Sequence, residues 1–312
     1  MENFKFHFMR PFFFSSCLLF SSLVLAQNKA EQYFHKGYYF LEIDKQRAIE
    51  SFTEAINANP DYAFAHYYRA IANYKLGNYE SAIRGFGLSI SLDSNLTKAY
   101  MLQGLAYKNL DSLDKAGYYF DKYLESNPSD SSGFAQSVRG RNRISLGKYK
   151  EALEDFSNAK ALNPREPKYL YFQYQGQFAE GNYKEALNTI DEAMADSANF
   201  HGHHFYRGYC NFLIGNFQEA ITDLSTSIEL FPENSDAYYR RGLAYDTLQI
   251  YHEAVRDFTN AIRANPNDGT YYFERGNTKL SQGNKEAACL DWTIAGNMGF
   301  YKDFDRIKKV CE

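Results

Sequence analysis

Eight alanines stand in one register along this chain: Ala48, Ala82, Ala116, Ala152, Ala186, Ala220, Ala254 and Ala288. Each lies 34 residues from the last, except for one step of 36 between Ala116 and Ala152. A fixed period of this size means one small unit copied along the chain. The clearest copy is Ser235 to Asp268, SDAYYRRGLAYDTLQIYHEAVRDFTNAIRANPND. Its small residues, Gly242 and Ala254, let two helices approach closely. Tyr245, Phe258 and Ala261 fall on helical faces that one hairpin cannot bury. Pro266 has no N–H and ends the second helix. A unit of this kind is stable only when stacked on its own copies.

The punctuation recurs in phase. Gly77, Gly147, Gly181, Gly215 and Gly283 close first helices, where a left-handed residue is required. Asn78, Asn182, Asn216 and Asn284 follow them and are expected to be side-chain N-caps of the second helices. Pro60, Pro128, Pro164, Pro232 and Pro266 end second helices. The small position of the first helix is Gly104, Gly140, Gly208, Gly242 and Gly276, with Ala70 once. Tyr174 takes that place in the fifth repeat, which predicts a locally wider helix pair. The first repeat is atypical, with an altered turn at 42–45. The two extra residues of the 36-residue step fall in the polar stretch Ser129 to Ser132, where insertion costs little.

The spacing of Gly242, Tyr245, Ala254, Phe258, Ala261 and Pro266 resembles the tetratricopeptide repeat, a helix–turn–helix unit of 34 residues. The resemblance implies an all-α, right-handed α-solenoid of about eight repeats over residues 27–299, with a C-terminal capping helix in 300–312. It also implies that first helices line a concave groove where partners bind. By repeat position that groove includes Arg141, Tyr171, Phe178, Phe205, Tyr209, Phe212, Tyr239 and Leu243, with Lys98 and Lys108 nearby. Aromatic side chains dominate binding energetics; for each one, simple packing between repeats is the competing reading. One branch of the family grips a C-terminal carboxylate with Lys and Asn on successive first helices. The matching places here are mostly apolar or aromatic, so that clamp is not expected. The implied role is a non-enzymatic scaffold for a protein or peptide. The alternative is a glycan- or small-ligand-binding receptor, because Tyr and Phe also suit sugar rings.

Before the repeats, Lys5 and Arg10 lead into an apolar run at 12–25, too short to span a bilayer. Val24 and Ala26 give compact residues at −3 and −1, so residues 1–26 read as a signal peptide cleaved before Gln27. An uncleaved membrane anchor is the competing reading. Cys17 has too little apolar sequence before it for a lipoprotein signal. The chain is thus expected to be exported, to a periplasmic or extracellular site, with no membrane span in its mature part. The sequon at Asn95 matters only in a host that glycosylates exported proteins.

A second register accompanies the alanines. Arg139, Arg207, Arg241 and Arg275 each precede the small residue of a first helix, and Asp155, Asp223, Asp257 and Asp291 stand sixteen residues later. Where the Arg is replaced by Gln103 or Gln173, the Asp is replaced by Tyr119 or Thr189; Arg69, opposite Gly85, breaks the rule. Both positions lie eight residues from the turn, so they face one another across the hairpin. A structural ion pair explains why both members vanish together, since half of a buried pair is costly. An anion site of stacked arginines is the functional alternative.

Composition narrows the rest. A net charge of −4 without a long basic run argues against nucleic-acid binding. No Gly-rich phosphate loop, HExxH or GxSxG occurs, and no cofactor is implied. His201, His203 and His204 do not share one helical face and are expected to be partly exposed residues at a helix start rather than metal ligands. Export permits disulfides. A Cys289–Cys311 bridge would tie the capping helix to the last repeat, two unlinked thiols being the alternative, while Cys210 reads as a small buried apolar residue.

Overall fold

The computed structural model describes residues 27–197, 200–300 and 304–312, so the signal-peptide expectation lies outside the described residues. Every regular element among them is helical. None of these helices is long and apolar enough to cross a membrane. The chain divides into two compact units, at Leu146–Gly147, inside the fourth repeat.

The first unit comprises α1 (27–40), α2 (Lys45–Ala58), α3 (Ala63–Lys75), α4 (Tyr79–Leu92), α5 (Lys98–Asn109), α6 (Leu113–Ser126) and α7 (Phe134–Ser145). The second comprises α8 (Tyr149–Leu162), α9 (Lys168–Glu180), α10 (Tyr183–Ser197), α11 (His201–Leu213), α12 (Phe217–Leu230), α13 (Ser235–Thr247), α14 (Tyr251–Ala264), α15 (Gly269–Ser281), α16 (Lys285–Asn297) and α17 (Phe304–Cys311). Within each unit, successive helices pack side by side. First helices also touch the next first helix, as α11 touches α13 and α13 touches α15.

The periodic alanines are the deepest residues. All eight are fully buried, and four residues on stand Phe52, Phe86, Phe120, Phe156, Ile190, Leu224, Phe258 and Trp292, also buried. The close approach explains the small residues opposite. A Cβ on Gly104 would lie 2.4 Å from Phe120 Cε1, and one on Gly242 would lie 2.9 Å from Phe258 Cε1. Tyr174 nevertheless fits as a fully buried side chain, in a cluster with Ala186, Ile190 and Cys210. Burial pushes the Cys210 thiol up to about 12, so it is an inert apolar group at neutral pH.

The turns differ from expectation in one respect. The predicted glycines are left-handed, and Asp111 and Gln249 adopt the same conformation where glycine is missing. Of the four asparagines after those glycines, only Asn284 caps through its side chain, accepting from the Ala287 N–H at 3.1 Å. All four give their backbone N–H to a carbonyl five residues back, on Asn73, Gln177, Asn211 and Lys279. This is the 6→1 bond of a Schellman motif, which satisfies the end of the first helix rather than the start of the second.

At the C-terminal end, Ile307 and Val310 of α17 pack with Phe300 on the Phe273–Trp292 cluster. The sulfurs of Cys289 and Cys311 are bonded, with Cα atoms 5.8 Å apart.

Candidate functional site

A row of side chains crosses the first helices of the second unit. Phe178 of α9 lies 4.8 Å, ring to ring, from Tyr209 of α11. The guanidinium of Arg240 on α13 sits 4.1 Å over the Tyr209 ring and 4.9 Å over that of Tyr239. Tyr239 in turn lies 5.1 Å from Tyr271 of α15. Burial first, then the negative charge of Glu274, pushes the Tyr239 hydroxyl up to about 12, so it stays a neutral donor.

The other expected groove residues have separate places. Phe205 touches Tyr206 and Tyr209 but also packs on the Leu224, Ile228 and Ala237 cluster between repeats. Phe212 packs 5.6 Å from Phe217, at the turn of its own hairpin. Leu243 is half-buried on α13. Tyr171 belongs to an apolar cleft of about 460 Å³ that it lines with Pro167, Lys168, Phe172, Phe200 and His203. Arg141 is an exposed residue of the first unit, where its charge, after burial, holds Lys108 below the usual lysine range. The row was therefore only partly anticipated. Arg240, Tyr206 and Tyr271 were missed, although Arg240 stands where neighbouring repeats carry Tyr206 and Glu274 and so departs from its register.

His203 also differs from expectation. It is only 3% exposed, and its Nδ1 lies 2.9 Å from the Tyr174 hydroxyl. Burial, then the nearby His204, lowers its pKa to about 4, so it is neutral at physiological pH. Position within the helix could not reveal this, because the burying partner is 29 residues away. Among the described residues no cluster of three or more His, Cys, Asp or Glu could hold a metal ion.

The arginine register has a two-sided geometry. Arg241 donates from Nε to Asp257 Oδ2 at 2.7 Å and from Nη2 to Oδ1 at 2.9 Å, while Nη1 reaches back to Ser225 Oγ at 2.8 Å. Arg275 repeats this with Asp291 and Thr259. Arg207 does so with Asp223 and Asp191. Each guanidinium thus joins three helices: its own, its hairpin partner, and the second helix of the preceding repeat. Asp257 and Asp291 are almost wholly buried, and Lys279 adds a second cation 2.8 Å from Asp291. For Arg241, burial works against the charge, but hydrogen bonding and attraction to Asp257 outweigh it and raise the pKa. Arg139 and Asp155 fall in different units, and their pairing remains an expectation from the spacing.

Models of the tetratricopeptide repeat match residues 44–95, 97–130, 175–234 and 235–268, together more than half of the chain. The chain belongs to the tetratricopeptide-repeat family. Such repeats serve as protein-interaction modules, typically without catalysis. The chain is 38% identical over 77 residues to Protein SGT1 homolog of Oryza sativa subsp. japonica, covering 25% of this chain and 21% of that protein. It is 33% identical over 102 residues to RNA polymerase II-associated protein 3 of Xenopus tropicalis, covering 33% and 15%. This tetratricopeptide-repeat chain therefore spans about a fifth or less of the length of these relatives. In fold it is similar to a chain in the crystal structure of the APC/C hetero-tetramer Cut9-Hcn1, with a TM-score of 0.63 at 14% identity, covering 88% of this chain and 54% of that one.

Proposed function

We propose that this protein is an exported, non-enzymatic tetratricopeptide scaffold that binds a protein or peptide on the first-helix face of its second unit. The observation that carries the reading is the row Phe178–Tyr209–Arg240–Tyr239–Tyr271. It joins four successive first helices through ring and cation contacts. Large aromatic and Arg side chains in such a row are the residue types that anchor protein interfaces. Export rests on the basic and apolar pattern of residues 1–26. A saccharide reading fits less well, because the Arg240 guanidinium already lies over the Tyr209 ring on which a sugar would stack.

The test is co-purification from the exported fraction, whose mature N-terminus should be Gln27. A stoichiometric protein should accompany the wild type, and Tyr209→Ala should weaken that association about tenfold or more with unchanged helicity. Saccharide binding without any protein partner would favour the alternative.

A further inference from the structure

Two adjacent arginines on α13 have opposite fates. Arg241 uses its fork on Asp257 and Ser225. Among the described residues Arg240 has no hydrogen-bond acceptor: its buried Nε has no partner there, and no carboxylate lies within ion-pair distance of it. Glu274, which stands at the same place one repeat later, instead accepts from Asn277 Nδ2 at 2.9 Å. What holds Arg240 is aromatic. Tyr209 and Tyr239 take the guanidinium at 4.1 and 4.9 Å.

Stacking on rings satisfies the faces of a guanidinium but none of its five N–H donors, which lie in its plane. A cation kept partly out of water, oriented by two rings and lacking a counter-ion, is preorganised for a planar anion arriving at its edge. The repeat does not require an arginine here: the same register holds Tyr68, Leu102, Val138, Phe172, Tyr206 and Glu274. Packing alone therefore does not explain it, whereas the paired arginines recur wherever their aspartate does.

We propose that Arg240, held by Tyr209 and Tyr239, is a subsite that reads an acidic side chain, Asp or Glu, within the bound peptide. The proposal rests on the protein-binding reading of this face and names the chemistry it selects. The carboxylate accepts from the Nη1–Nη2 edge of the guanidinium, since Nε is buried, and the flanking rings pack on the apolar part of the ligand. A bidentate pair favours carboxylate over the isosteric amide by about tenfold.

The experiment uses the mature chain and an array of peptides, N-acetylated and C-terminally amidated, with one central position fixed as Asp, Glu, Asn or Gln and the others degenerate. The expected result is a preference for Asp and Glu over Asn and Gln of about tenfold. That preference should vanish in Arg240→Gln and shrink in Arg240→Lys, which keeps the charge without the fork. Should Arg240→Gln lose helicity, Arg240→Lys carries the comparison. Peptides bound without acidic preference, or a preference that survives Arg240→Gln, overturn the subsite and leave the groove standing. Binding that appears only with free C-terminal carboxylates also overturns it, since the terminus and not a side chain is then read. Failure of wild type to bind any array peptide overturns both readings. A direct readout accompanies the array. The Arg240 Nε resonance should move on titration with N-acetyl-glutamate N-methylamide and stay still with its glutamine counterpart.

Discussion

Arg139 Nη1 lies 2.6 Å from Asp121 Oδ1, eighteen residues upstream, whereas Arg207, Arg241 and Arg275 reach back sixteen. The difference of two equals the insertion at Ser129 to Ser132. The backward contact therefore tracks position in space and not sequence separation. The loop absorbs the extra residues: Asp130 accepts from the Ser132 N–H and the Tyr123 hydroxyl, and Gly133 turns the chain into α7 with a φ of 71°. In the third repeat, where Gln103 replaces the Arg, its Nε2 still reaches the preceding second helix, donating to the Ile83 carbonyl at 3.1 Å.

Arg241→Ala should destabilise the protein by on the order of 3 kcal/mol, because it leaves Asp257 buried and unpaired. The double change Arg241→Met with Asp257→Leu should recover much of that loss. Urea unfolding checks both. An unmoved midpoint in Arg241→Ala would show that the arginine does not hold the repeats together.

His203 should make stability depend on acid. Its folded pKa is about 4, below the usual 6.5, so above about pH 6.5 it is neutral whether folded or unfolded and adds no pH dependence. As pH falls from about 6.5 towards 4, the unfolded chain takes up a proton that the folded chain refuses. Stability then drops by up to about 3 kcal/mol and levels off below the folded value. His203→Gln keeps a partner for the Tyr174 hydroxyl but does not titrate. The difference between its denaturation curves and those of wild type, at pH 7, 5 and 4, isolates this contribution; parallel curves would show that His203 is not its source.

Two backbone substitutions should act in opposite directions. Gly104→Ala places a Cβ against the Phe120 ring and should cost about 1–3 kcal/mol by overpacking. Gln249→Gly relieves a non-glycine residue at φ 63° and should stabilise by about 0.5–1 kcal/mol after the added freedom of the unfolded chain is counted. Thermal melts of the two variants give the signs.

Cys311→Ser should lower stability by about 3 kcal/mol in the chain-entropy view, since the bridge to Cys289 closes a loop of 22 residues. Peptide mapping without reductant should recover the two cysteines in one linked fragment. Free alkylation of both in unfolded, unreduced protein would show that no bridge exists.

The architecture was legible because a 34-residue period of alanines survives any uncertainty about individual residues, and the arginine–aspartate register could be read from paired loss. Features outside a register were not legible. Asn78, Asn216 and Asn284 all look like N-caps by position, and all three follow a left-handed glycine and make the same backbone bond, yet only Asn284 also accepts through its side chain. His203 looks like a helix-start residue until Tyr174 arrives from the preceding repeat. Arg240 is singular, and a search for what repeats passes over what does not. Its meaning depends on rings supplied by two helices.

The junctions do not all have equal stiffness. At Arg207, Arg241 and Arg275 a single guanidinium clasps three helices, so sliding one repeat past the next must break charged hydrogen bonds together. At α9 the corresponding side chain is Gln173, whose buried Oε1 has no partner among the described residues, and the aspartate's place in the register is held by Thr189, whose hydroxyl donates to the Glu185 carbonyl of its own helix. Under tension or bending the second unit should yield first at that joint. Its compliance is concentrated beside the cleft at Tyr171 and the near end of the aromatic row, where a small change of pitch would alter the spacing between Phe178 and Tyr209 that a bound chain would sense.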